Sequence, residues 1–513
     1  MGYDDEYYED DGEFQDEDEF DIQTKEQLRN RLIAVACSAY GISAAVHIGL
    51  LLILMTIIIA VPEPEKEAVV IAKREVKPQE YDEKLKRDMH KTPKIQAEEV
   101  VEKPIIVLEE EVEVTKDVPK GTDLSNLSNK NLDSTSVVDA YGVGGGAAGA
   151  YGQRWGKGSL AREGGSEGTE SAVTAALRWL KFHQSPDGRW DADGWTANCS
   201  RGPTCSGPGT NLGDARYDVG LSGMALLAFL GNGHTHRFGT FKRTVSRGLK
   251  WLKRQQKADG SIGFDHGETI YNHAIATMAI CEAYAVSRDF TLKRYAEKAI
   301  KFCVEAQNPG LGWKYGVRSG RNDTSVTGWM VLALKAGKTA GIKVPDKAFE
   351  GARNWFARAT AASGEVGYET PGGGSAFLPQ NDGKYDPSQC MTGVSVICRI
   401  FTGERRSEDG IRKGARILSE NPPTWKGTNY RTVNFYYWYY GTYAMFQVGG
   451  EKWKAWNKSM QEALLPNQRM GGCEDGSWDP VGEWCLAGGR VYATAINALT
   501  LEIYYRYERA QAH

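Results

Sequence analysis

The sequence predicts an all-α protein: a closed (α/α)6 toroid of six helix pairs, preceded by one transmembrane helix and a disordered spacer. Three observations carry this expectation. A turn containing glycine and an aromatic residue recurs six times between residues 178 and 478. Each turn is followed by a helix that is apolar all round, the pattern of an element buried on every side. A single long apolar run, residues 32–61, lies far ahead of these repeats.

The chain has 513 residues, of which 41% are hydrophobic, enough for a sizeable core. Its formal net charge of -4 hides an asymmetry, because residues 1–21 hold twelve Asp and Glu and no Lys or Arg. The remainder is therefore net positive. The acidic block at 1–28 reads as a solvated cytoplasmic tail. The next segment, 29–61, exceeds the roughly 20 residues that a helix needs to span a bilayer. Lys25, Arg29 and Arg31 precede it, whereas Lys66 alone follows closely. The positive-inside rule then keeps the N-terminus in the cytoplasm and exports the rest, placing the chain in the inner membrane with its large domain in the periplasm.

Residues 62–169 read as an extended spacer. The first part is rich in Pro, Glu, Lys and Val, with a short strand expected near 105–114, and the second is Gly-rich. Residues 170–508 form the repeat domain. Turn segments such as "KFHQSPDGRW", "RQQKADGSIGF", "VEAQNPGLGW" and "NQRMGGCEDGSW" end its outer helices. Outer faces are basic, as at Lys250, Lys253 and Arg254. Small residues (Gly223, Ala276, Gly328, Gly393) open the inner helices and allow close packing. Asp-Gly sets a tight turn, the aromatic ring covers the helix ends, and Gln184, Gln255 or Gln307 is placed to bond helix-terminal amides. The expected product is a ring, since an open solenoid requires capping repeats.

The spacing Gln184/Gly188/Trp190, with further copies near 255, 307 and 475–478, resembles the QW repeat of squalene and terpenoid cyclases. Protein prenyltransferase β-subunits share that toroid. The resemblance covers about residues 165–508 and implies a central cavity at the N-termini of the inner helices. It implies isoprenoid chemistry less directly, because the D-x-D-D acid of the cyclases is not found; "WDADGW" supplies Asp191 and Asp193 and reads as structural. The Asp, Cys and His zinc pattern of the prenyltransferases is also not found. No cofactor is expected, and the only metal-ligand set of the right chemistry is the weak group His273, Asp386 and Cys390.

Candidate cavity residues are Asp218, His273, Asp323, Asp386, Tyr430 and Tyr437. They open inner helices or belong to the aromatic run "NFYYWYYGTYAMF", which serves a cation, a sugar ring or simple core filling. N-capping by Asp and Asn is the competing role. Two loop pairs, Cys199 with Cys205 and Cys473 with Cys485, read as disulfides of an oxidising compartment.

In the membrane run, Ser43 and His47 stand at i and i+4 on one helix face. Anchor, spacer and exported domain together resemble TonB-type energy transducers, whose membrane helix carries Ser-x3-His. The resemblance implies contact with ExbB/ExbD-like proton-channel subunits. The sequence thus leads to a membrane-anchored toroid that binds or scaffolds a lipid or glycan ligand, with no nucleic acid partner. The alternative is an enzyme acting on an isoprenoid or a polysaccharide. An open cavity with carboxylates around the 434–446 aromatics favours the enzyme; a filled barrel favours the scaffold.

Overall fold

The computed structural model describes residues 27–31, 47, 164–199, 204–205, 209–263, 270–374, 388–427 and 433–506. By contacts the chain divides into residues 1–108 and 109–513. In the first unit only 27–31 and 47 are described, and all are helical. The expected membrane helix, Ser43, the spacer and its strand otherwise lie outside the described residues. Among the described residues, no helix is long and apolar enough to cross a membrane.

Among its described residues the second unit contains twelve α-helices: α1 Glu167–Phe182, α2 Asp218–Gly231, α3 Lys242–Arg254, α4 Ile270–Ser287, α5 Phe290–Ala306, α6 Thr324–Thr339, α7 Asp346–Ala359, α8 Cys390–Phe401, α9 Asp409–Glu420, α10 Phe435–Val448, α11 Gly450–Leu464 and α12 Cys485–Arg506. Even-numbered helices are buried along almost their whole length, whereas odd-numbered ones bury a single stripe. Each even helix packs on the next, and α12 returns to α2, so the inner ring is closed. Each odd helix lies outside its even partner, and α1 rests on α12. This is the expected toroid. Its layers follow from the two hydrophobic patterns, since an amphipathic helix needs one apolar neighbour and an all-apolar helix needs cover on every side.

The recurring turn is built from three side chains. Trp190, Trp313 and Trp478 each donate from Nε1 to a carbonyl near the end of the preceding outer helix, Leu180, Cys303 and Leu464, at 2.8–2.9 Å. The glutamine amide spans two repeats. Gln184 Nε2 donates to the turn carbonyl of Gly188 and to Thr244 of the next outer helix, at 2.9 and 3.0 Å. Gln307 does the same with Leu311 and Ala348, and Gln468 with Gly476 and Ala172. The last bond joins the final repeat to the first and closes the outer ring. Glutamine therefore satisfies carbonyls rather than helix-terminal amides. In the second repeat Gln256, not Gln255, carries the role, reaching Gly260 and Tyr295 at 3.2 and 2.9 Å. Glycine is required because Gly188 has φ +104° and an added Cβ would lie 2.4 Å from the Arg247 carbonyl oxygen.

This assignment separates two adjacent residues. Gln256→Leu leaves buried carbonyls without donors and should cost about 1–3 kcal/mol. Gln255→Leu, beside it, should stay within about 0.5 kcal/mol of the parent. Urea unfolding of the two variants checks this.

Candidate active site

The N-terminal halves of α2, α4, α6, α10 and α12 line a cavity of about 550 Å³. Its walls are aromatic and aliphatic: Trp329 on α6, Tyr436 on α10, Tyr492 on α12, Leu221 and Met224 on α2, and Ile275 on α4. Trp484 and Leu486 add the rim that leads into α12. The barrel below is filled. Trp329 stacks on Tyr439 at 6.0 Å and meets Tyr440 edge-on at 5.5 Å, and Phe401 meets Tyr443 at 5.0 Å. The aromatic run of α10 is thus divided between roles: Tyr436 faces the cavity, with its hydroxyl 2.7 Å from Ser325 Oγ, while its neighbours make the core.

Three tyrosines form one polar edge. The Tyr368 hydroxyl bonds to Tyr315 and lies 3.3 Å from the Tyr271 hydroxyl, and all three residues line the cavity. Burial pushes each of Tyr271 and Tyr368 well above the ordinary phenol range. Two carboxylates, Glu369 and Glu483, and one ammonium, Lys314, share the lining. Lys314 pairs with Glu369, which Arg321 also contacts at 3.1 Å. Burial lowers the Lys314 pKa. The Tyr492 hydroxyl is buried and has no hydrogen-bond partner among the described residues.

Behind this edge lies Asp323. It is fully buried and caps α6, with Oδ1 accepting from the Val326 amide at 2.7 Å. The segment 367–368 is strapped to it, because Thr324 N donates to the Tyr368 carbonyl at 2.9 Å and Thr324 Oγ1 to the Gly367 carbonyl at 2.7 Å. Burial pushes the Asp323 carboxyl up to about 7, against the opposing pull of the Val326 amide, the Lys314 charge and the Tyr368 hydroxyl. Asp323 Oδ2 has no hydrogen-bond partner among the described residues, and burial likewise pushes Asp218, at the start of α2, up to about 7.

The shift is also a statement about stability. The folded chain holds the Asp323 proton up to about pH 7, whereas the unfolded chain releases it near the ordinary carboxyl value of 3.8. The favourable contribution is therefore full below about pH 4 and is lost as pH rises to 7. Asp323→Asn keeps the cap and has no proton to lose. Its stability should fall less than the parent's between pH 4 and 7, by a few kcal/mol in total. Chemical denaturation at several pH values measures the difference.

The other predicted cavity residues are placed elsewhere or lie outside the described residues. His273 is buried against the outer helix α5, with Nδ1 accepting from the Ile262 amide at 3.1 Å and Nε2 3.2 Å from Cys303 Sγ. Both ring nitrogens are engaged with Ile262 and Cys303, and His273 is not among the residues that line the cavity; of the His273/Asp386/Cys390 set, Asp386 lies outside the described residues. Tyr437 turns outward, donating to the Asn421 carbonyl at 2.5 Å and meeting Trp456 edge-on at 5.8 Å. Asp218 accepts from the Ala192 amide at 2.8 Å and faces Arg189 Nε at 3.3 Å, so it holds the first turn rather than lining the cavity. Asp191 belongs to the same structural cluster, as expected. Asp386 and Tyr430 lie outside the described residues. The sequence reading missed Lys314, Glu369 and Glu483, which stand in the loops before inner helices. The one available signal was charge beside aromatics, in "WKYG", "GYET" and "GEWC".

The cysteines also depart from expectation. All eight described cysteines are free thiols. Cys473 does not seat with Cys485; it joins Cys199 and Cys205 around His183, with Nε2–Sγ distances of 3.4, 3.6 and 3.8 Å. Cys485 opens α12, where burial pushes its thiol up to about 12. Cys205 is driven higher still by burial and the two neighbouring thiols.

Comparison with known proteins adds a fold-level likeness. No family model matches this chain, and a search of curated proteins finds no match. Among solved structures, an inactive variant of the α-1,6-mannanase GH76A of Salegentibacter sp. HEL1_6, in complex with α-1,6-mannotriose, is 11% identical, with a TM-score of 0.46 over 66% of this chain and 99% of that one. The type II terpene cyclase MstE from Scytonema is 12% identical, with a TM-score of 0.42 over 65% of this chain and 97% of that one. An α-amylase from Clostridium perfringens is 13% identical, with a TM-score of 0.40 over 66% and 97%.

Proposed function

We propose that the toroid is an enzyme that starts cation chemistry by protonating an isoprenoid-type substrate in its aromatic cavity. One observation carries this reading: Asp323, a fully buried carboxyl whose Oδ2 has no hydrogen-bond partner among the described residues, opens α6 next to the tyrosine edge of a cavity walled by Trp329, Tyr436, Tyr492 and Trp484. Tyr368 alone is too weak an acid, because burial raises its pKa. For transfer, the Tyr368 hydroxyl must come within hydrogen-bond reach of the unpartnered Asp323 Oδ2, and the two protons then move in concert. Tyr368 delivers its hydroxyl proton to a substrate double bond and takes the Asp323 proton, leaving an aspartate and a carbocation. Aromatic faces stabilise that cation by their quadrupoles, each by about 0.5–2 kcal/mol. Loss of a proton from the product cation, or capture of water, ends the reaction, and Asp323 is reprotonated from solvent.

A second reading rests on a different observation. Glu369 and Glu483 line the same cavity, and a pair of carboxylates beside stacking aromatics suits glycoside cleavage. Assays of single variants divide the two. Asp323→Asn removes turnover in the first reading, and Glu483→Gln removes it in the second. An open cavity bearing carboxylates fits an enzyme better than the scaffold expected first.

We also propose that residues 29–61 anchor the toroid in the inner membrane, N-terminus inside, with the toroid on the far side. The apolar run and the flanking charges support this. The Ser43/His47 face supports docking to ExbB/ExbD-like subunits. Affinity purification of the intact chain in mild detergent should bring these subunits down, and His47→Ala should lose them. Equal recovery with the variant would remove the motor and leave a tether.

A further inference from the structure

The geometry points to a structural zinc site, formed by His183, Cys199, Cys205 and Cys473, that locks the first repeat to the last. These four ligand atoms lie within 4.8 Å of one another, and three of the four residues are buried. Zinc bonds of about 2.3 Å to sulfur and 2.0–2.1 Å to nitrogen, set tetrahedrally, give ligand–ligand edges of about 3.5–3.8 Å. The three nitrogen–sulfur separations, 3.4, 3.6 and 3.8 Å, match those edges. A Cys3His set fills all four positions, the mark of a structural rather than a catalytic zinc.

The surroundings are built for a ligand histidine. His183 Nδ1 lies 2.9 Å from the Trp179 carbonyl oxygen. It can only donate there, so the proton sits on Nδ1 and the Nε2 lone pair faces the three sulfurs. A carbonyl that accepts from the other ring nitrogen fixes the tautomer and orientation of a metal-bound histidine. Trp179 stacks on the imidazole at 4.1 Å and Trp195 meets it edge-on at 5.6 Å, holding the ring in place. Neither aromatic supplies a competing ligand.

The ligands come from three segments: the end of α1, the loop around the short helix Trp195–Asn198, and the turn between α11 and α12. The metal would therefore join the two ends of the ring, as the Gln468–Ala172 bond also does. The same loop reaches the cavity rim. Gly213 N donates to the Leu486 carbonyl at 3.2 Å and Asp214 N to the Ala487 carbonyl at 2.9 Å, and both acceptors line the cavity. Zinc would hold that rim in register. This role is independent of the reaction proposed above.

The test is the metal content of the full-length chain, prepared without chelator. One zinc per chain is expected in the parent and in Cys485→Ser, and less than a tenth of that in Cys473→Ser. A measurement on the unaltered chain guards against a variant that fails to fold. Iodoacetamide with peptide mapping should leave Cys199, Cys205 and Cys473 unlabelled until a strong chelator is added. Cobalt exchanged into the site should show the intense visible bands of a tetrahedral thiolate complex. A zinc-free parent, a mapped Cys199–Cys205 disulfide, or full zinc in Cys473→Ser would each overturn the site.

Discussion

Asp323→Asn should lower turnover by about 10²–10⁴-fold, the contribution of a positioned general acid, with the toroid intact. The amide oxygen still accepts from the Val326 amide, so the α6 cap persists. What disappears is a buried carboxyl whose pKa burial pushes up to about 7. The pH profile of the parent follows from the same carboxyl. Rate requires the protonated form, so activity should be level below about pH 7 and fall tenfold per unit above it. Tyr368→Phe should produce a comparable loss, because it removes the hydroxyl proposed to carry the proton from Asp323 to the cavity. A structural role for Asp323 predicts the opposite pairing: altered stability with an unchanged pH profile in the residual activity.

Gly476→Ala should be among the most damaging single substitutions in the ring. Gly476 has φ +89°, and an added Cβ would lie 2.2 Å from the Ala175 carbonyl oxygen. That oxygen belongs to α1, so relief of the clash must move the last repeat away from the first. Gly471, in the same turn, has φ +77° but nothing within 4 Å of its added Cβ. Gly471→Ala therefore isolates the backbone cost, about 1–2 kcal/mol. Gly476→Ala should exceed it by several kcal/mol, in the range that marks a packing failure. Thermal denaturation of the pair gives the difference, and equal melting temperatures would refute the close approach.

The architecture was legible because each repeat writes its own closure. Gln184, Gly188 and Trp190 occur at fixed spacing since one turn must satisfy two carbonyls, tolerate a positive φ and cover a helix end. The slip from Gln256 to Gln255 shows the limit of spacing: adjacent glutamines differ only in which side of the turn they face. His273 and Tyr437 mark a second limit. Both sit on inner helices, but an inner helix has a cavity side and an outer-helix side, and its uniform apolarity conceals which is which. The cavity charges were missed because Lys314, Glu369 and Glu483 come from loops, where no period exists. The His183 cluster was unreadable for a further reason. Its ligands span residues 183 to 473, and only ring closure brings the ends together. Sequence spacing alone therefore paired Cys473 with its loop neighbour Cys485.

One measurement bears most directly on the proposed acid at the end of the aromatic cavity. The full-length chain and its Asp323→Asn and Glu483→Gln variants are incubated with squalene, farnesol and geranylgeraniol, and with an α-1,6-mannotetraose control, followed by mass-resolved product analysis. The account predicts cyclised or hydrated isoprenoid products from the parent, none from Asp323→Asn, and an untouched oligosaccharide. Oligosaccharide cleavage that depends on Glu483, or isoprenoid conversion that survives Asp323→Asn, would contradict it.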